Sequence, residues 1–184
     1  MDFLARNDYI STMILVYILA GIIVAILVGA AWMPRTFNIE KNIIIDRPMQ
    51  DVMNRIGNLN DYSLWNPWQQ SEPTSTKEIT GSPYTAGHRY AWSGKKIGVG
   101  RLTLRSMNSK NISFDLEFFK PWKSKALDNW HFDAWGENGT KVTWQNTGNL
   151  PWPIARLMGP MLNKNLGIQF QKGLENLKSL VEKS

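Results

Sequence analysis

The carboxyl-terminal segment, residues 153–184, constrains the fold of this chain more than any other feature. Apolar residues recur there at spacings of mostly three and four: Leu157, Met161, Leu162, Leu166, Phe170, Leu174, Leu177 and Val181. This is the spacing of one face of an α-helix, and the lysines of the segment fall largely on other faces. A helix this long with one apolar side needs an apolar surface to pack on, so the rest of the chain must supply one.

The preceding residues have the pattern of antiparallel strands joined by short turns. Residues 37–46 alternate around isoleucines and predict a first strand, followed by short helices over residues 49–56 and 60–64 and a polar loop over residues 69–76. Further strands are predicted at residues 77–80, 88–93, 98–106, 112–119, 125–135 and 141–147. Since no helix-length segment separates these strands, antiparallel pairing is favoured over parallel pairing.

Alternation within the strands predicts one apolar and one polar face. The apolar parity contains Leu102, Leu104, Ile112, Phe114, Leu116, Phe118, Trp130, Phe132, Val142 and Trp144. The opposite parity carries residues such as Arg101, Asp115 and Glu117. We therefore expect an α+β fold in which a curved antiparallel sheet holds the long terminal helix against its apolar face. In the terminal region, Gly159 and Pro160 are expected to kink the helix or divide it.

A separate stretch, residues 9–34, carries no charged side chain. Its length is sufficient to cross a bilayer as one tilted helix, with aromatics Tyr9 and Trp32 near its ends. Basic residues follow the stretch more often than they precede it, which favours a cytoplasmic location for the carboxyl-terminal domain. A cleaved export signal is the alternative interpretation, although two aspartates precede the stretch and its apolar run is long for a signal.

Composition excludes several kinds of site. The chain has 184 residues, a formal net charge of +6 and no cysteine, which excludes disulfides, thiolate metal sites and cysteine nucleophiles. Its two histidines, His88 and His131, have no metal-ligand spacing, so we expect no metal site and no cofactor. The basic residues are scattered, and we expect a membrane partner and no nucleic acid.

The order of these elements and five short motifs resemble the START-like helix-grip superfamily, often labelled SRPBCC or polyketide cyclase/dehydrase-like. The motifs are WNPW at 65–68, GHRYAW at 87–92, GVG at 98–100, GTKVTW at 139–144 and GLENLK at 173–178. The resemblance covers about residues 36–183. It implies a deep cavity between sheet and helix for an apolar or amphipathic small molecule, but no single reaction. Residues 1–34 are then expected to be a transmembrane anchor and residues 35–184 a START-like domain.

Aromatic and aliphatic residues of inward parity are the expected lining of this cavity. They are Trp65, Trp68, Tyr90, Trp92, Phe114, Phe118, Trp130, Phe132, Trp144, Leu162 and Leu166. Binding pockets for small molecules are mostly apolar with a few polar groups that fix orientation. The alternative is that these side chains simply fill a solid core.

Four polar residues share the inward parity of their strands. These are His88, Tyr90, Asp128 and Asn146, and a buried carboxylate among them would orient a ligand or act as a general base. Alternatively, Asp128 and Asn146 end their strands in water and His88 is a hydrogen-bonded edge residue.

Three functional hypotheses follow from these patterns. The leading one is a membrane-anchored binding module for a hydrophobic small molecule or lipid. The second is a cyclase- or hydratase-type enzyme that uses Asp128 with His88 or Tyr90. The third is a membrane-tethered interaction domain with a filled core.

Overall fold

The structure is a computed structural model that describes the backbone of residues 2–183 and the side chains of residues 12–183. Its helices are α1 (Asp2–Trp32), α2 (Met49–Gly57), α3 (Tyr62–Trp65), α4 (Pro67–Ser71) and α5 (Ile154–Glu182), with a 3-10 turn at Leu59–Asp61. Its strands are β1 (Thr36–Ile45), β2 (Thr76–Thr80), β3 (Arg89–Ser93), β4 (Val99–Met107), β5 (Asn111–Lys120), β6 (Ser124–Trp135) and β7 (Gly139–Asn149).

The strands form one curved antiparallel sheet in the order β1-β7-β6-β5-β4-β3-β2. Strands β2 to β7 are neighbours in chain order, and β1 pairs with β7 to close the other edge. Inward side chains of adjacent strands are in register, as where Trp130 of β6 lies opposite Trp144 of β7 and Ile112 of β5. The sheet and the apolar parity predicted from the sequence are therefore confirmed.

The second half of α5 packs on the apolar face of the sheet. Phe170, Leu174, Leu177 and Val181 recur at helical spacing and are all buried. The end of the helix is fixed by Arg47, whose guanidinium donates to the carbonyl oxygens of Val181 and Glu182 at 3.1 and 2.7 Å. These carbonyls have no partner within the helix, so the arginine supplies the hydrogen bonds that the helix end lacks.

Two local predictions differ from the structure. Residues 69–76 were expected to be a polar loop, but Pro67–Ser71 forms the short helix α4, which includes the first three of them. Asn66 caps it, since its side-chain oxygen accepts from the backbone N–H groups of Trp68 and Gln69, and Pro67 takes the first helical position. Gly159 and Pro160 were expected to kink or divide the terminal helix; the division is wrong, because Pro160 lies inside the continuous helix α5.

By Cα proximity the chain divides into two compact units. The larger contains Thr36–Asn149 and Pro160–Ser184 and includes the whole sheet and the apolar core. The smaller contains Met1–Arg35 and Leu150–Gly159. Within the smaller unit, residues Thr12–Trp32 of α1 are long and apolar enough to cross a membrane, with a mean hydropathy of 2.9. A signal sequence has the same length and composition. The predicted interfacial Tyr9 lies outside the side chains that the structure describes.

Candidate ligand-binding site

Four large rings occupy the centre of the layer between sheet and α5. The indoles of Trp130 and Trp144 stack with centroids 4.4 Å apart, and the ring of Phe170 lies 4.0 Å from that of Trp144. Trp65 presents its ring edge-on to both indoles, at 5.6 and 5.8 Å. These are the spacings of aromatic rings in direct contact, so side chains fill the centre of this layer.

Asp128 lies beside this aromatic group and is 5% exposed. Its register places it opposite Asn146 on β7 and Phe114 on β5. Its carboxylate accepts from the Nε1 groups of Trp130 at 2.7 Å and Trp144 at 3.0 Å, and from the Nδ2 group of Asn146 at 3.2 Å. The alternative in which Asp128 and Asn146 end their strands in water is therefore wrong. Both residues are buried and bonded to each other.

Burial raises the pKa of the Asp128 carboxyl to about 6, because removal from water disfavours the ionised form. The hydrogen bonds from Trp144, Trp130 and Asn146 act in the opposite direction and offset part of this effect. Burial likewise raises the pKa of the nearby Tyr62 phenol, and the charge of Asp128 adds to that shift. The site thus holds a carboxyl group that changes charge near neutral pH.

His88 and Tyr90 have hydrogen-bond partners other than Asp128. The Nε2 atom of His88 accepts from the backbone N–H of Leu59 at 3.0 Å, so its Nδ1 carries the proton and donates to the carbonyl of Thr80 at 3.1 Å. The Tyr90 hydroxyl donates to Oε1 of Gln69 at 3.0 Å. Both residues are fully buried, and these bonds fix the loop before β3 and helix α4 against the sheet.

One end of the same layer is less completely covered. The inward row next to Asp128 runs from Leu116 through Ala126 and Gly148 to Phe37. All four residues are only half-buried, and the Phe37 ring lies directly over Gly148, where a Cβ atom would come within 2.6 Å of it. Phe37 covers Gly148, whereas Ala126 carries only a methyl group, so this row is a shallow apolar surface bordered by larger side chains.

The fourteen residues predicted to line a cavity fall into three groups. Fully or almost fully buried and packed in the core are Trp65, Tyr90, Trp92, Phe114, Trp130, Phe132 and Trp144. Half-buried are Trp68, Phe118, Leu162 and Leu166. Buried polar residues are His88, Asp128 and Asn146. A role of any of them in binding stays a prediction.

Sequence reasoning overlooked several residues that the structure places here. Tyr62 contacts the rings of Trp65 and Tyr90, with centroids 5.2 and 5.0 Å away, but it begins the short helix α3, where strand parity does not apply. Phe170 was assigned to the helix stripe, but its contact with Trp144 was not foreseen. Phe37 could have been found, since it shares the parity of Ile39 at the start of β1.

The larger unit has two open grooves, and the half-buried row forms part of the first. This groove, of about 650 Å³, combines the row with outward, mostly polar residues of β1, β5, β6 and β7, including Asp115, Glu117 and Lys125. The other, of about 940 Å³, lies between β1 and α5 and includes Lys41 and Lys164. Neither is lined by any of the predicted residues. Among residues 12–183, no cluster of three or more histidine and carboxylate side chains is arranged to hold a metal ion.

Comparison with known proteins shows which protein family has this architecture. The family model described as "Polyketide cyclase / dehydrase and lipid transport" matches residues 36–182. No curated protein sequence matches the chain.

Solved structures with a similar fold come from distant proteins. Protein MLL2253 from Mesorhizobium loti is 14% identical, with a TM-score of 0.58 over 82% of this chain and 98% of that chain. A protein from Thermus thermophilus, TTHA0849, is 19% identical, with a TM-score of 0.58 over 79% of this chain and 97% of that one. Ara h 8.0201 is 10% identical, with a TM-score of 0.58 over 81% and 99%. Identities this low show a shared fold alone.

Proposed function

We propose that this chain, which belongs to the polyketide cyclase / dehydrase and lipid transport family, is a membrane-anchored module that binds a hydrophobic small molecule or lipid. The ligand lies between the sheet and α5, at the half-buried end of the layer. Aromatic and aliphatic side chains supply affinity through burial, and the buried polar pair Asp128 and Asn146 fixes orientation. Helix α1 anchors the module, with the sheet domain on the cytoplasmic side.

The observation that carries this proposal is the uneven closure of the layer. Trp130, Trp144 and Phe170 fill its centre, whereas Leu116 and Ala126, only one inward row beyond Asp128, remain half-buried. Contiguous apolar side chains on a partly open surface, bordered by polar residues, mark a binding groove more often than single ones do. An apolar surface bordered by a buried carboxyl and amide has the composition of a small-molecule site.

The anchor rests on the composition of α1. Its described side chains are almost all exposed and apolar, which is unfavourable in water and favourable in hydrocarbon. Arg35 and Lys41 follow the helix, which supports the cytoplasmic orientation through the positive-inside bias.

The filled centre of the layer favours a second candidate function, a membrane-tethered interaction domain. In that case the stacked rings of Trp65, Trp130 and Trp144 serve only stability, and function resides on the outer surface. The enzyme hypothesis has no comparable support, because His88 and Tyr90 each bond to residues other than Asp128.

Native mass spectrometry of residues 36–184, incubated with extracted lipids, tests the binding proposal. We expect a stoichiometric apolar adduct that is lost in Leu166→Arg, because Leu166 is half-buried against the apolar core, one helical turn before Phe170. Ile168→Arg is the matched control, since Ile168 lies on the same helix with 58% of its side-chain surface exposed. Circular dichroism verifies that both variants fold. No adduct on the unmodified domain, or equal adducts on both variants, would reject binding at this end of the layer and favour the interaction domain.

A further inference from the structure

We propose that the segment of residues 152–158 is a second membrane contact, lying in the interfacial layer of the bilayer beside the end of α1. The inference rests on the proposed function in one respect, that α1 spans the membrane. It goes beyond an anchor, because it assigns a lipid-facing role to residues far from the anchor in sequence.

The segment exposes an apolar face. Ile154, Leu157 and Met158 stand at positions i, i+3 and i+4 of the first turns of α5 and therefore project from one side of the helix. Ile154 is 69% exposed, and the other two are also exposed. Just before the helix, Trp152 exposes half of its surface. Apolar side chains grouped in this way on a surface mark a contact with a partner or a membrane.

The position of the segment indicates that its exposed apolar face contacts the membrane. Leu150–Gly159 and the segment ending at Arg35 belong to one compact unit. The backbone N–H of Leu150 donates to the carbonyl of Arg35 at 2.7 Å, only three residues after α1 ends at Trp32. An exposed apolar segment tied to the end of a spanning helix lies where hydrocarbon gives way to headgroups.

The side-chain chemistry fits that depth. Tryptophan is enriched at the membrane–water boundary, where its ring lies among the headgroups, and here Trp32 and Trp152 are both exposed. Helices that lie in this layer bury an apolar face and keep cationic groups toward the headgroups. Arg156 is the cation of this segment, and its Nε donates to the carbonyl of Leu150 at 3.3 Å, which holds the turn in place.

Depth measurement on the full-length chain tests the inference. Because the chain has no cysteine, a nitroxide label can be attached at one introduced cysteine at a time. The variants are Ile154→Cys in the segment, Ile22→Cys in α1 and Glu137→Cys in the exposed turn after β6. Each protein is reconstituted in vesicles of phosphatidylcholine and phosphatidylglycerol. Accessibility of the label to oxygen and to a water-soluble nickel chelate then gives its depth.

We expect the label at Ile22 to be deep in hydrocarbon, that at Glu137 to be in water, and that at Ile154 to lie about 5–10 Å into the headgroup–acyl boundary. A label at Ile154 as accessible to nickel as that at Glu137 overturns the inference while the anchor stands. Low accessibility to both reagents also overturns it, because it indicates a protein contact such as a second copy. A label at Ile22 in water rejects the anchor itself, and the inference falls with it.

Discussion

The indole Nε1 of Trp144 donates to both carboxylate oxygens of Asp128, at 3.0 Å each. The two residues are on neighbouring strands, and Trp144 also stacks on Trp130, which donates to the same carboxylate. The aromatic core and the buried acid are therefore one arrangement, in which indole rings supply both packing and hydrogen bonds. A change at Asp128 or Trp144 should consequently alter stability and its pH dependence together.

Replacement of Asp128 by asparagine should change how stability depends on pH. The native carboxyl has a pKa of about 6 against an ordinary value of 3.8, so the folded state binds the proton more tightly than the unfolded state. The stabilisation by this proton is complete below about pH 4 and is lost as pH rises through 6. At about 1.4 kcal/mol per pKa unit, this loss is about 3 kcal/mol.

Urea unfolding between pH 4 and 7 measures this effect. The free energy of unfolding of Asp128→Asn, relative to the unmodified protein, should rise over that interval. The exposed Asp51→Asn, in the first turn of α2, is the matched control and should show a much smaller change. A pH-independent difference for Asp128→Asn would show that the carboxyl does not titrate near 6.

Trp144→Phe should separate the packing role of this indole from its hydrogen bonds. The smaller ring leaves a cavity whose cost does not depend on pH, whereas the lost indole N–H donor matters most while Asp128 is ionised. The destabilisation should therefore be about 1–3 kcal/mol larger at pH 8 than at pH 5. Chemical denaturation at the two pH values measures it, with the half-exposed Trp135→Phe as control. Equal losses at both pH values would mean that this N–H group does not favour the ionised carboxylate over the neutral carboxyl.

Ala126→Trp should block ligand uptake without unfolding the domain. The added ring would occupy the space above the half-buried Ala126 and beside Leu116, its partner on β5. Ala134→Trp is the control, because Ala134 is on the same strand with the same parity but is exposed. The readout is the ligand adduct in native mass spectrometry together with the melting temperature. Full uptake by a folded Ala126→Trp protein would place the ligand elsewhere.

Glu72→Ala should loosen the turn between β3 and β4. The Glu72 carboxylate accepts from the backbone N–H groups of Lys95, Lys96 and Ile97 at 2.8, 2.9 and 3.1 Å. The hydrogen bond from Ile97 lowers the pKa of Glu72 most, and those from Lys95 and Lys96 add to this effect. The carboxylate therefore stays ionised at neutral pH and keeps these hydrogen bonds. Hydrogen exchange of the three amides should accelerate in the variant.

The exposed Glu78→Ala on β2 serves as the comparison for that experiment, and exchange at the turn should stay unchanged there. Unaltered protection of the three amides in Glu72→Ala would indicate that other contacts hold the turn.

Most of the fold follows from short-range patterns. Leu102 and Leu104 alternate with polar neighbours, and Phe170, Leu174, Leu177 and Val181 recur at helical spacing, so strand faces and helix face are readable from the sequence. The capping of a helix by a nearby side chain was harder to predict from the sequence. The Asn66 side-chain oxygen accepts from two backbone N–H groups and starts α4, whereas the polar composition of residues 69–76 had indicated a loop.

The candidate site depended on contacts between residues far apart in the chain. Parity correctly turned Asp128 and Asn146 inward, but only the register of β6 against β7 made them a buried, bonded pair. Strand parity predicted that both Trp144 and Leu116 face inward. In the structure Phe170 covers Trp144, whereas Leu116 stays half-buried. The sequence by itself determined which faces are apolar and that α1 could span a membrane, because backbone periodicity and length are local properties. Only the tertiary structure decided which part of that apolar face is filled and which part is left open, because this depends on where side chains from distant segments meet.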